Sequence, residues 1–164
     1  MKQLINSIES SIKNENWHAA LLVALTLPDI AGKIEYPVSS SSKRYAMWFD
    51  KYVGDQYKAK IGPKKSEHIF LAGNDCYALR CAYLHEGITD ITHQKARTVL
   101  DEFIFVVPPK GSLVHCNQID NKLQLQVENF CTDIINELIH WLIDILDDPI
   151  KKSSLSSLIK IHKL

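Results

Sequence analysis

The stretch NDCYALRCAYLHEG, residues 74–87, sets Arg80 and His85 on one short segment with four residues between them, among two thiols and two tyrosines. An imidazole exchanges a proton near neutral pH and serves as general acid or base. A guanidinium stays charged and presents a fork of donors to an anion. Together they suit attack of a ribose 2'-hydroxyl on the adjacent phosphorus. That reaction needs proton transfer and a fixed donor array for the charge gathering on the phosphoryl oxygens.

Such a pair must be held by a helix. Asp75 is an N-cap candidate for a helix over 76–86, and Gly87 stands where a left-handed C-terminal residue is wanted. A separation of five residues rotates a side chain by about 140° modulo one turn, so Arg80 and His85 do not stack on one face. They can still converge, because the arginine stem is long and His85 lies in the last turn, where helix geometry relaxes. The same residues also fit a purely structural use. His85 would then complement the helix dipole, Arg80 would pair with Asp75 or with an acid of the 128–148 segment, and Tyr77, Leu79, Ala82 and Leu84 would be core.

Arg80, the intervening CAYL and His85 resemble the signature of the HEPN superfamily, an Arg, four to six variable residues and a His on one helix. The likeness is carried by residues 75–87. It implies a small helical domain that dimerises so that two such helices line one composite cleft. It also implies metal-independent ribonuclease activity of the kind found in toxin–antitoxin, phage-defence and RNA-processing systems. On this resemblance Arg80 and His85 are the catalytic residues, with Asn74, Asp75, Tyr83 and Glu86 supporting them. A homodimer through the 76–86 helix, an RNA substrate and a cognate antitoxin protein are the expected partners, with no cofactor and no metal. A non-catalytic HEPN-like binding or regulatory dimer is the alternative from a different class.

The 19 basic residues balance the 19 acidic ones, so net charge points to no partner. Their distribution is uneven. Lys43, Arg44, Lys51, Lys58, Lys60, Lys64 and Lys65 face only Asp50 and Asp55 in their stretch, whereas 123–150 holds six acids and no Lys or Arg. A basic side of this kind is either a solvated face or the footprint of a polyanion. Lys43, Arg44, Lys58, Lys60, Lys64 and Lys65 are the candidate phosphate-backbone contacts, and Tyr57, lying among lysines, is a candidate for stacking on a base, as is Tyr52.

No segment reaches the roughly 18–20 apolar residues of a membrane span, and the polar N-terminal stretch does not read as a signal peptide, which predicts a cytoplasmic protein. Cys76, Cys81, Cys116 and Cys131 form no C-x-x-C pair and are expected to be reduced and buried. His115, Cys116 and Cys131, with His85, are the only other set with zinc-ligand chemistry, and no local ligand pair seeds that site. Trp17, Trp48 and Trp141 sit in apolar-periodic segments and read as core anchors.

The surrounding pattern is mainly α: a single helical domain over 1–164 with a small antiparallel β hairpin insert at 103–127. Leu4, Ile5, Ile8 and Ile12 have helical spacing. Asn16 can cap a second helix that Pro28 is expected to end. A loop over 36–43 precedes a helix through Trp48, and the basic stretch 54–65 reads as an irregular loop. A helix over 92–103 capped by Thr92 is expected next. Then FIFVV, a PPKG turn and KLQLQV with a DN turn before it give two or three strands. The polar stripe Asp133, Glu137, Asp144, Asp147 marks a long helix over 128–147, and the tail is a short docked helix or a frayed end.

Overall fold

The computed structural model describes residues 1–162. The helices of these residues are α1 (Lys2–Lys13), α2 (Trp17–Glu35), α3 (Ser41–Tyr52), α4 (Gly73–Glu86), α5 (Val127–Asp144) and α6 (Pro149–Ser156). The strands are β1 (Lys58–Ile61), β2 (Ser66–Ile69), β3 (Glu102–Val106), β4 (Asn117–Ile119) and β5 (Lys122–Gln126). The fold is mainly α with small antiparallel hairpins, as the residue pattern indicates.

α2 is apolar on nearly every side and lies at the centre, against α1, α3 and α5. Pro28 does not end it. A proline inside a helix removes one donor and crowds the turn before it, so the carbonyls just upstream need other partners. Here Thr26 Oγ1 donates to the Val23 carbonyl at 2.7 Å and the buried Tyr45 hydroxyl donates to the Leu25 carbonyl at 3.2 Å. The helix runs on to Glu35, and Asp29 makes contact with both α3 and α4.

α3 is wedged tightly between its neighbours. A Cβ on Gly32 would meet the Arg44 carbonyl oxygen at 2.6 Å, and one on Gly73 would meet the Ala46 carbonyl oxygen at 2.5 Å. Both glycines are needed because backbone approaches backbone there. The close crossing brings the Arg44 side chain beside Asp29.

The basic stretch after α3 is a hairpin rather than an irregular loop. A 3₁₀ turn, Gly54–Tyr57, leads into β1, which pairs antiparallel with β2 from Lys58↔Ile69 to Ile61↔Ser66. Period-2 patterning could not reveal it, because this ribbon is exposed on most of both faces and carries lysines rather than alternating apolar residues.

Residues 92–101 form turns and not a helix. Thr92 caps nothing. Its backbone N–H and hydroxyl both donate to Asp90 Oδ1, and Arg97 ties the segment to the carbonyls of Thr92 and Leu100 and to Asp101. These local side-chain bonds compete successfully with a helical ladder. The following sheet has the order β3-β5-β4. β4 and β5 form the expected hairpin at Asp120–Asn121, while β3 adds in parallel to β5. Phe103, Leu123 and Leu125 point from it into the core.

The core continues through Trp48 and Trp141, fully buried and edge to face at 6.2 Å, as their apolar-periodic positions predict. Trp17 is only half-buried. α6 is a docked helix: Lys151 Nζ donates to Glu35 Oε2 at 2.8 Å, the same oxygen that receives Trp141 Nε1 at 3.0 Å. Residues 163 and 164 at the end of the predicted tail lie outside the described residues.

Candidate active site

α4 carries the site. Ala78, Leu79 and Ala82 bury one side of it, and Gly87 closes it at φ 72°, the left-handed geometry that glycine adopts without cost. Asp75 does not cap it. The helix starts earlier, at Gly73, whose N–H is received by Asp50 Oδ1 at 2.7 Å. Asp75 is buried, and its carboxylate accepts the Thr98 hydroxyl at 2.8 Å together with the N–H groups of Thr98 and Val99. It anchors the 92–101 segment and does not touch Arg80.

Arg80 and His85 meet. Arg80 Nη1 lies 3.4 Å from His85 Nε2. A guanidinium can only donate, so any hydrogen bond between the two is accepted by the imidazole nitrogen. The contact is long for a hydrogen bond, so it ties the two side chains only weakly. His85 is exposed; Arg80 is mostly covered.

What aims Arg80 is Asp29. Arg80 Nη2 is 2.8 Å from Asp29 Oδ2, an ion pair between α4 and α2 rather than with Asp75 or with α5. The other Asp29 oxygen receives the Ser41 hydroxyl at 3.4 Å and has Arg44 Nη2 at 4.0 Å. Two guanidinium groups therefore share one carboxylate, which leaves one positive charge unbalanced. The Nε atoms of Arg44 and Arg80 are also buried without an acceptor. The arrangement offers fixed donors and surplus positive charge beside a histidine, which is what a phosphoryl group bearing developing charge requires.

The remaining predicted site residues scatter. Asn74 is exposed in the first turn of α4, about 9 Å along the axis from Arg80. Tyr83 turns toward α2, where its hydroxyl meets His18 Nδ1 at 2.5 Å with the two rings parallel. Glu86 pairs with His93 Nε2 at 3.0 Å and accepts from Gln94. Lys43 is exposed on α3, and Lys58, Lys60, Lys64 and Lys65 lie on the β1–β2 hairpin, where Lys58 pairs with Asp55. Among the described residues Lys60, Lys64 and Lys65 form no ion pair and stay presented to solvent.

Tyr57 is not a stacking residue. It is fully buried against Phe49 and Phe130 and donates to Asp133 Oδ2 at 3.1 Å. Burial pushes its hydroxyl well above the ordinary tyrosine range, with the charge of Asp133 adding to the effect. Tyr52 is half-buried against Trp48.

The thiols are free. Cys76 and Cys131 are buried, and burial pushes each up to about 12; Cys81 and Cys116 are half-buried, and burial pushes Cys116 up to about 11. Among the described residues His115, Cys116 and Cys131 do not join His85 in a metal-ligating group. His115 instead accepts the Gln126 N–H on Nδ1 at 3.3 Å and turns Nε2 toward Asp133 at 3.6 Å.

Sequence reasoning missed Asp29 and His18. Both lie on α2, and ending that helix at Pro28 removed Asp29 from view. Compared with known proteins, the chain matches no protein-family model, no curated protein and no solved structure.

Proposed function

We propose that this protein is a metal-independent endoribonuclease of HEPN type, which cleaves RNA by attack of the 2'-hydroxyl on the adjacent phosphorus. The observation that carries the reading is the Arg80–His85 approach at 3.4 Å, with Arg80 fixed by Asp29 at 2.8 Å. His85 takes the 2'-hydroxyl proton on Nε2 or returns a proton to the leaving 5'-oxygen. Arg80 holds the phosphoryl oxygens, displacing its long contact to His85. A homodimer through the α4 region would supply both roles from two helices, and the hairpin lysines would hold the phosphate backbone. A role in toxin–antitoxin or phage-defence systems, with a protein antitoxin as partner, belongs to the same proposal.

The test is cleavage of labelled single-stranded RNA by the purified full chain and by Arg80→Ala and His85→Ala. Cleavage by the parent should fall by about 10²–10⁴-fold in His85→Ala, and Arg80→Ala should also lose it. His85 is exposed, so its loss should change stability by less than about 0.5 kcal/mol. The second reading, a non-catalytic HEPN-like binding dimer, is favoured by one observation: the strong ion pair of Arg80 is satisfied inside the protomer, by Asp29. Absence of cleavage by a well-folded parent, with RNA or a second copy still bound, would decide for it.

A further inference from the structure

Beyond the Arg80–His85 pair, Asp29 also borders a second feature. Between the C-terminal half of α2, Arg44 of α3 and the end of α6 lies an open cavity of about 550 Å³. Its polar wall is Asp29, Lys33 and Arg44, and its apolar wall includes Ile34, Ile150 and Leu158. The volume falls inside the roughly 300–1,000 Å³ of sites that take a small organic ligand.

Two features define what it would hold. Arg44 reaches Asp29 only at 4.0 Å, and among the described residues its terminal nitrogens donate no hydrogen bond, so the guanidinium has donors to spare. Lys33 adds a second cation, whose ammonium donates to the Pro37 carbonyl at 2.8 Å and pairs with no carboxylate among the described residues. An anion is therefore wanted on this side. Beside it are aliphatic side chains from α2, α6 and the turn after α6, which suit the face of a flat, weakly polar ring. A sugar phosphate would leave that wall unused, and inorganic phosphate would leave most of the volume empty. A nucleoside phosphate satisfies both walls.

We propose that this cavity is a nucleotide subsite: the base packs against the aliphatic wall of α2 and α6, and a phosphate is held by Arg44 and Lys33. Because Asp29 lies on both the cavity and the Arg80 ion pair, the subsite adjoins the cleavage pair, and the bound nucleotide is a neighbour of the scissile phosphate in an RNA chain. The choice of RNA as the source of the nucleotide rests on the ribonuclease reading; binding of the nucleotide itself does not.

The experiment titrates the four 5'-nucleoside monophosphates into the full chain, followed by calorimetry or by NMR shifts. Parent and His85→Ala should both bind at least one of them. Lys33→Glu, which reverses a cation, and Leu158→Trp, which fills the apolar side, should each weaken it about tenfold or more. A non-cleavable 2'-O-methyl oligonucleotide should then compete with the mononucleotide. Failure of all four to bind at millimolar concentration, or binding indifferent to both substitutions, overturns the subsite whatever the cleavage assay shows. Binding that the oligonucleotide does not displace overturns the RNA source and leaves a site for a free nucleotide. Sensitive binding by a chain that cuts no RNA retains the nucleotide site and removes the ribonuclease reading.

Discussion

Asp29 of α2 and Arg80 of α4 form a 2.8 Å ion pair that fixes the guanidinium at 3.4 Å from His85. The two residues are 51 positions apart in the chain and belong to different helices, so the pair depends on how α2 and α4 pack. It makes Asp29 a positioning residue for the proposed reaction.

Asp29→Asn should therefore lower kcat about 10–100-fold, since misplacement by about 1 Å costs on that order. Steady-state kinetics on RNA would measure this. The decisive readout is coupling: if Asp29 acts through Arg80, the Asp29→Asn/Arg80→Ala double variant should be no slower than Arg80→Ala alone. Additive losses would show that Asp29 acts elsewhere.

Asp75→Ala should destabilise the fold by about 1–3 kcal/mol, because it removes the acceptor for the Thr98 and Val99 N–H groups and the Thr98 hydroxyl from a buried position. Thermal melts would show it. Residual activity of the folded fraction should stay close to that of the parent, since Asp75 does not touch Arg80.

The legible part of this protein was its local pattern. The C-terminal end of α4 at Gly87, the long α5 stripe and the hairpin at Asp120–Asn121 follow from spacing and turn chemistry that a single stretch contains. The Arg80–His85 encounter was allowed by the sequence but not dictated by it: a five-residue separation turns the two about 140° apart, and the long arginine stem makes up the difference. What escaped depends on contacts between distant segments. Pro28 lies inside a helix whose turn before it receives the hydroxyl of Tyr45, 17 residues later. Asp75 is drawn from its helix cap by backbone donors 23 and 24 residues away. Tyr57 looks exposed among lysines, yet the 3₁₀ turn that it ends directs it inward onto Asp133. The charge run was legible, but not that its lysines sit on a two-stranded ribbon.

Neutralising Lys58, Lys60, Lys64 and Lys65 together should weaken RNA binding and flatten its dependence on salt, because each phosphate contact contributes roughly −0.7 to the log–log slope for a single strand. Lys58 should contribute least of the four, since Asp55 already holds its ammonium at 2.8 Å. Titrations at several salt concentrations would check both. An unchanged slope would remove the hairpin from the RNA path.

Glu35 sets a pH limit on α6. Burial pushes its carboxyl up, but the hydrogen bonds from Lys151 and Trp141 and the charges of Lys151 and Lys51 outweigh burial and leave it below the ordinary glutamate value. A carboxyl lowered on folding contributes stability at neutral pH, and that contribution is lost as pH falls through the folded-state value. Glu35→Gln should lower Tm at pH 7, and the gap from the parent should close in the acid range below the usual glutamate pKa. A gap of constant size down to pH 3 would contradict the assignment.

The most direct test of the central claim is RNA cleavage by the purified full chain in excess chelator, with the product ends identified. A His–Arg pair supplies proton transfer and charge stabilisation without a metal-bound hydroxide. The account predicts cutting that leaves a 2',3'-cyclic phosphate and a 5'-hydroxyl, no cutting where the cleavage position carries a 2'-deoxyribose, and an ionisation in the pH–rate profile that vanishes in His85→Ala. Cleavage that requires an added divalent cation, or that proceeds equally well on DNA, would show that Arg80 and His85 do not perform this reaction.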